Sequence, residues 1–219
     1  MLKTTELLSL DKSEAGDFLS AFEYPWQALP HIRNFIFDFI GNIDKNEYAE
    51  TAPDVWIHKT AVVAPTAFIG APCIIGENTE VRHCAFIRGC AFIGRNCVVG
   101  NSTEIKNAIL FDGVQIPHYN YVGDSVLGYR SHMGAGSVTS NVKSDKTLVA
   151  VKSEGERYET GLKKFGAILG DYVEVGCNSV LNPGTVIGRN TNIYPLSSIR
   201  GEIPADSIYK SAEKIVSKE

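Results

Sequence analysis

Residues 57–105 read IHKTAVVAPTAFIGAPCIIGENTEVRHCAFIRGCAFIGRNCVVGNSTEI, and an aliphatic side chain returns at every sixth position. The series is Ile57, Val63, Ile69, Ile75, Val81, Ile87, Ile93, Val99 and Ile105. Four positions after each of the first eight stands a small residue: Ala61, Ala67, Cys73, Thr79, Ala85, Ala91, Cys97 and Thr103. Glycine follows the aliphatic at Gly70, Gly76, Gly94 and Gly100. Neither a 3.6-residue nor a two-residue period fits this spacing, which removes an amphipathic helix and an ordinary alternating strand. A six-residue repeat builds a parallel β-helix. Three hexapeptides make one triangular coil, so residues 18 apart stack, with coils roughly 4.8 Å apart. The aliphatic points inward, the small residue fits a crowded interior position, and glycine eases the turn.

The same beat returns near the C-terminus at Leu169, Val175, Leu181, Ile187, Ile193 and Ile199. Between them it continues through Leu110, Ile116, Val122, Leu127 and Met133 but twice slips to five residues. It vanishes over residues 142–164, a charged stretch that reads as a loop extruded from the prism, with TLVAVK (147–152) as a short strand. Long loops on such scaffolds carry binding function. Residues 1–50 lack the beat: DKSEAGDFLSAF reads as a helix capped by Asp11 with Glu14 three residues on, and HIRNFIFDFIGN as a second helix ending near Gly41. The organisation expected is a small helical N-terminal cap (1–50) over the open end of the coils, a hexapeptide-repeat β-helix (51–205), and a weakly helical C-terminal tail (206–219).

The 219 residues are 44% apolar and carry a net charge of −4, which supports a sizeable core and argues against broad binding to nucleic acid or anionic membrane. Acids interrupt the apolar positions of the N-terminus, so it is not a signal peptide, and no window approaches the roughly 20 apolar residues of a membrane helix. A cytoplasmic protein is expected. The five cysteines include no CxxC pair and read as small buried apolar residues in a reducing compartment.

Some residues fall outside what the prism needs. Arg88 and Lys106 occupy the position after the inward aliphatic, usually small, and are 18 apart, hence stacked on one face. They are either a clamp for a phosphate or a solvated pair partnered by Glu104. His118, in GVQIPHYNYVGDS, lies 12 residues after Lys106, where the repeat slips. It is either a surface histidine or a general base working near its ordinary pKa, oriented by Asp124 or a backbone carbonyl and set near the two cations. HMGAGSVTSN (132–141) offers backbone amides around Gly134 to Gly136 as oxyanion donors. There is no GxxxxGK[ST], hence no reading of a nucleoside triphosphate loop.

The stretches NSTEIKN, IPHYNYVGDS, GAGSVTSN and KKFGAILGD resemble the acetyltransferase domain of glucosamine-1-phosphate acetyltransferase/N-acetylglucosamine-1-phosphate uridylyltransferase, and the archaeal-type sugar-1-phosphate nucleotidylyltransferases. The likeness covers about residues 55–200, without the nucleotidylyltransferase half. It implies a left-handed parallel β-helix, a homotrimer with active sites between neighbouring subunits, and acetyl transfer from acetyl-CoA to the amine of glucosamine or galactosamine 1-phosphate, with no metal required. On its terms His118 is the base; Arg88, Lys106, Tyr121, His132 and Asn141 contact the sugar phosphate; and Ala135, Gly136, Cys177 and Pro195 line the CoA groove. His132 stands where the bacterial enzymes have asparagine and Cys177 where they have serine. Two alternatives remain: a non-catalytic or regulatory repeat protein, and a carbonic anhydrase-like metalloenzyme. Against the latter, His83, His118 and His132 contain no close pair.

Overall fold

A computed structural model describes residues 1–218. The six-residue beat is a three-walled parallel β-helix, each wall a ladder of short parallel strands. On the first wall Ile57, Ile75, Ile93, Leu110, Leu127, Leu169, Ile187 and Ile203 stack directly. The second runs from Val63 through Val81, Val99 and Ile116, and from Met133 through Val175 and Ile193 to Tyr209. The third holds Ile69, Ile87, Ile105, Val122, Thr139, Leu181 and Ile199. These inward rows form the interior, and from Ile75 to Ile199 they are buried. The two five-residue steps fall where Glu104–Leu110 and Tyr121–Leu127 run through a corner as continuous strands.

The corners are built differently from the expectation. Glycine after the aliphatic does not supply a left-handed turn; it allows coils to touch, since a Cβ on Gly100 would lie 1.5 Å from the Pro117 carbonyl oxygen. The left-handed residue comes two positions later: Asn78, Asn96 and Ser102 have φ of 53°, 54° and 53°. The small polar residues bond the coil above, as Thr79 Oγ1 does to the Gly94 carbonyl at 2.8 Å.

Residues 1–50 do not cap an end. They lie along the first wall as a lateral strap, running opposite to the stack. The Leu2 amide meets Glu202 Oε2 at 2.6 Å, the Ser9 amide meets Asp171, Glu14 pairs with Arg95 at 2.9 Å, and Lys59 Nζ donates to the Asn46 carbonyl at 2.6 Å. The reason is the outward face of that wall. Trp56, Ile74, Phe92, Ile109, Val126, Ile168 and Val186 point out of the prism in one row, and all seven are buried. Phe35 and Phe39 of the strap's longest helix, Ile32–Gly41, each sit 5.1 Å from Phe92 by ring centroids.

The strap's first helical piece also differs from the expectation. Asp11 lies in a 3-10 turn, Leu10–Lys12, and pairs with Lys12 rather than capping; the helix that follows spans only Gly16–Ser20. The tail 206–218 is not helical. Ser207–Ser211 adds a strand to the second wall and Lys214–Ser217 folds back antiparallel on it. Burial of Tyr209 and the β-branched pair Ile215-Val216 outweigh the weak helix propensity of SAEK. The loop 142–164 carries an antiparallel hairpin, Ala150–Ser153 with Glu156–Glu159. Cys73 and Cys97 are buried as expected, but Cys84 and Cys177 are exposed at corners. Among the described residues no helix is long and apolar enough to cross a membrane.

Candidate functional site

The candidate residues separate into two groups on opposite edges of the third wall. The first lies where the third wall turns into the first. Lys106 stacks on Arg88, as its 18-residue spacing requires, but neither cation is free. Arg88 Nη1 bonds Glu104 Oε1 at 2.8 Å, and Lys106 Nζ lies 3.3 Å from Asp124 Oδ2. Asp124, 4% exposed, is the hub of this edge: it accepts from Asn107 Nδ2 at 2.9 Å and Asn141 Nδ2 at 2.5 Å. Asn141 also donates to the Tyr121 hydroxyl at 3.1 Å. Burial, with Asp124 and Glu104 nearby, raises the Tyr121 pKa, so its phenol stays protonated and able to donate. Gly123 makes room for that ring: a Cβ there would lie 2.4 Å from the Tyr121 hydroxyl.

A cavity of about 460 Å³ opens over this cluster, lined by Arg33, Arg88, Cys90, Lys106, Asn107 and Asp124 among others. The strap thus forms one side of it, fastened by Asn107 Nδ2 to the Leu29 carbonyl at 3.2 Å. Arg33 has no carboxylate partner among the described residues, so it is the uncompensated cation of the cavity. Asp124→Ala strips a buried acceptor from three donors. It should cost on the order of 2–3 kcal/mol of stability, read as a lower denaturant midpoint at unchanged slope. A midpoint equal to wild type would mean that the cluster contributes no net stability.

The second group lies at the corner between the second and third walls. His118 ends the strand Gln115–His118 with an exposed ring that has no hydrogen-bond partner among the described residues. Asp124 does not reach it; the acid is committed to the other edge. The backbone at His118 is fixed instead: its amide donates to Asn120 Oδ1 and its carbonyl accepts from the Gly136 amide, both at 3.0 Å. Asn120, 3% exposed, donates on to the Gly134 carbonyl at 2.8 Å. The sequence reading missed Asn120, although a carboxamide at an interior corner position, two residues after the histidine, is a detectable signal.

The Gly134 and Gly136 amides are spent on coil-to-coil bonds to the carbonyls of Val175 and His118, which leaves the Ala135 amide as the uncommitted donor. Ala135, Cys177 and Pro195 follow one another up this edge, joined by the bonds Asn178 amide to Ala135 carbonyl and Leu196 amide to Cys177 carbonyl. Exposed Tyr119 and Leu196 flank them. His132 stands on the second wall, its Nδ1 at 2.8 Å from Glu174 Oε2, over a polar cavity of about 450 Å³ shared with Gln115 and with Asn96, Gly113 and Arg130 of the turn between the first and second walls, so it faces away from the His118 corner.

The expected proximity of His118 to the two cations is therefore corrected within one chain. Lys106 pairs in register with Gly123, and His118 lies across the turn at Tyr119, where φ is 51°, at the other end of the strand segment that leads to Gly123. The cause is the fold: a 12-residue separation spans two walls of a coil, not one step up the stack. Between the two edges the outward face of the third wall presents exposed Phe68 and Phe86, ring centroids 5.5 Å apart, and exposed Val180.

Residues 73–193 match the family described as "GMPPB C-terminal domain", more than half of the chain and both edge groups except Pro195. The chain belongs to the GMPPB C-terminal domain family. Among curated relatives of the chain, a bifunctional protein GlmU of Methanococcus maripaludis is 33% identical over 238 residues, covering 99% of this chain and 53% of its own length. One of Methanococcus aeolicus is 35% identical over 215 residues, covering 88% and 47%. A bifunctional sugar-1-phosphate nucleotidylyltransferase/acetyltransferase of Sulfurisphaera tokodaii is 34% identical over 103 residues, covering 47% and 26%. The chain thus spans about half or less of the length of these relatives. Among solved structures, the acetyltransferase domain of PglB from Neisseria gonorrhoeae in complex with acetyl coenzyme A gives a TM-score of 0.38 at 15% identity, over 74% of this chain and 56% of that one.

Proposed function

We propose that the chain is an acyltransferase module that moves acetyl from acetyl-CoA to the amine of an amino-sugar 1-phosphate, with each active site built between two copies of a homotrimer. The observation that carries this reading is the division of the functional side chains between two edges of one exposed apolar wall. A ring of identical chains apposes unlike faces of neighbours, so the Arg88–Lys106–Asp124–Asn141 edge of one copy meets the His118 edge of the next. Burying Phe68, Phe86 and Val180 drives the contact.

In that joint site the sugar phosphate competes with Glu104 for Arg88 and draws on Lys106 and Arg33. The Tyr121 phenol and Asn141 hold sugar hydroxyls. The amine nitrogen attacks the thioester carbonyl while His118 takes its proton. The Ala135 amide is the donor available to the developing oxyanion. Collapse expels the thiolate of CoA, which recovers a proton from His118. The exposed apolar edge at Tyr119, Ala135, Cys177, Pro195 and Leu196 suits the pantetheine arm.

The internal pairing of Arg88 and Lys106 also favours a second reading, a regulatory module whose clamp is closed by its own acids. A thiol-release assay with acetyl-CoA and a panel of hexosamine 1-phosphates separates the two. Turnover is expected with glucosamine or galactosamine 1-phosphate. Absence of turnover with every amino sugar would favour the regulatory module.

A further inference from the structure

A second basic cleft lies on the same edge as Arg88 and Lys106, further up the stack. Lys143, Lys152, Arg157 and Arg200, together with Ala150, Pro183 and Gly201, line a cavity of about 260 Å³. The lining contains no carboxylate. Lys143 is tied to Asp145 at 3.3 Å and Arg157 to Glu159. Lys152 and Arg200 have no carboxylate partner within 4.0 Å among the described residues. Four converging cations are not a by-product of general basicity, because the chain carries a net charge of −4. Like charges in one cavity repel, so an arrangement with two of them unneutralised suits an anionic occupant.

The cations stand on a fixed frame. The hairpin Ala150–Ser153/Glu156–Glu159 is pressed against the corner at Gly201, where a Cβ would lie 2.5 Å from the Lys152 carbonyl oxygen and φ is 73°. Ser153 Oγ bonds Glu202 Oε1 at 3.0 Å, and Val151 of the hairpin and Val149 just before it are buried. This cleft is also separate from the Arg88–Lys106 cluster. The edge column runs from Lys106 to Gly123, Ser140, Asn182 and Arg200. Four coil steps of about 4.8 Å put Arg200 roughly 19 Å from Lys106, too far for one phosphate to touch both.

We infer that this cleft binds a phosphate or diphosphate group. Two guanidinium forks and two ammonium groups match the several oxygens of such an anion better than the two of a carboxylate. The group belongs either to the nucleotide end of an acyl donor such as CoA or to a nucleotide-linked sugar. Binding here does not depend on acyl transfer, so a failure of one reading leaves the other standing.

Calorimetric titration of the full chain with inorganic pyrophosphate tests it, using wild type, Arg200→Ala and Lys152→Ala, with folding checked by thermal melting. Wild type should bind pyrophosphate, more weakly as salt is raised, and each variant should lose roughly tenfold or more in affinity. Arg200→Lys should retain part of it. Titrations with CoA, dephospho-CoA and UDP identify the source. Loss with CoA but not dephospho-CoA assigns the 3′-phosphate, equal loss with both assigns the donor's diphosphate, loss with UDP alone assigns a nucleotide sugar, and loss confined to pyrophosphate leaves free phosphate. No pyrophosphate binding by wild type, or equal affinity in both alanine variants, overturns the inference.

Discussion

His118→Ala should lower acetyl transfer by roughly 10²-fold or more, with a melting temperature equal to that of wild type. The imidazole is exposed and bonds nothing among the described residues, so its removal opens no cavity and orphans no partner. The corner that carries it is held by Asn120 and Gly136 through backbone atoms that the substitution leaves intact. Lys106→Ala should also be inactive, for a different reason, since it removes a cation from the opposite edge. If each site is shared between copies, His118→Ala and Lys106→Ala chains assembled together will regain activity. Random mixing in a ring leaves roughly a quarter of the contacts with both intact edges. Equal rates for His118→Ala and wild type would remove the histidine as base, and no recovery on mixing would confine each site to one copy.

Phe92→Ala should destabilise the chain by about 3–5 kcal/mol. This ring is 1% exposed and stands on the outside of the prism, between Ile74 and Ile109 in its own row and under Phe35 and Phe39 of the strap. Its loss empties a junction between two rigid layers, where neither can collapse to fill the void. Denaturant unfolding measures the loss directly, and Phe92→Leu should cost less because it keeps most of the volume. A loss below about 1 kcal/mol would mean that the strap packs loosely enough to settle into the gap.

The interior was legible because the beat is one-dimensional information. Any residue six positions from Ile87 or Ile93 has the same fate, and Ile75 to Ile105 are buried as that requires. The strap's position was not legible, because it depends on which of three equivalent walls is apolar outside. The doublets Ile74-Ile75 and Phe92-Ile93 mark the covered wall, yet Phe68-Ile69 and Phe86-Ile87 look the same and leave Phe68 and Phe86 exposed. Only the contacts of residues 1–50 distinguish them. For the site, the 18-residue spacing correctly stacked Arg88 and Lys106. The 12-residue spacing misled, since it measures distance around the prism rather than along it. Asp124 went to the cations rather than to His118 because its left-handed φ of 48° sits at the corner that they share.

A stack of coils is by itself a nearest-neighbour system, in which each coil knows only the ones above and below, and such arrays fray from their ends. The strap alters that. Its first residues grip Glu202 near the last coil, and its final ones grip Lys59 in the first. Loosening either end of the prism therefore pulls on contacts at the other. A linear array becomes a closed mechanical loop, and all-or-none unfolding is the expected result, from a segment that adds no coil of its own.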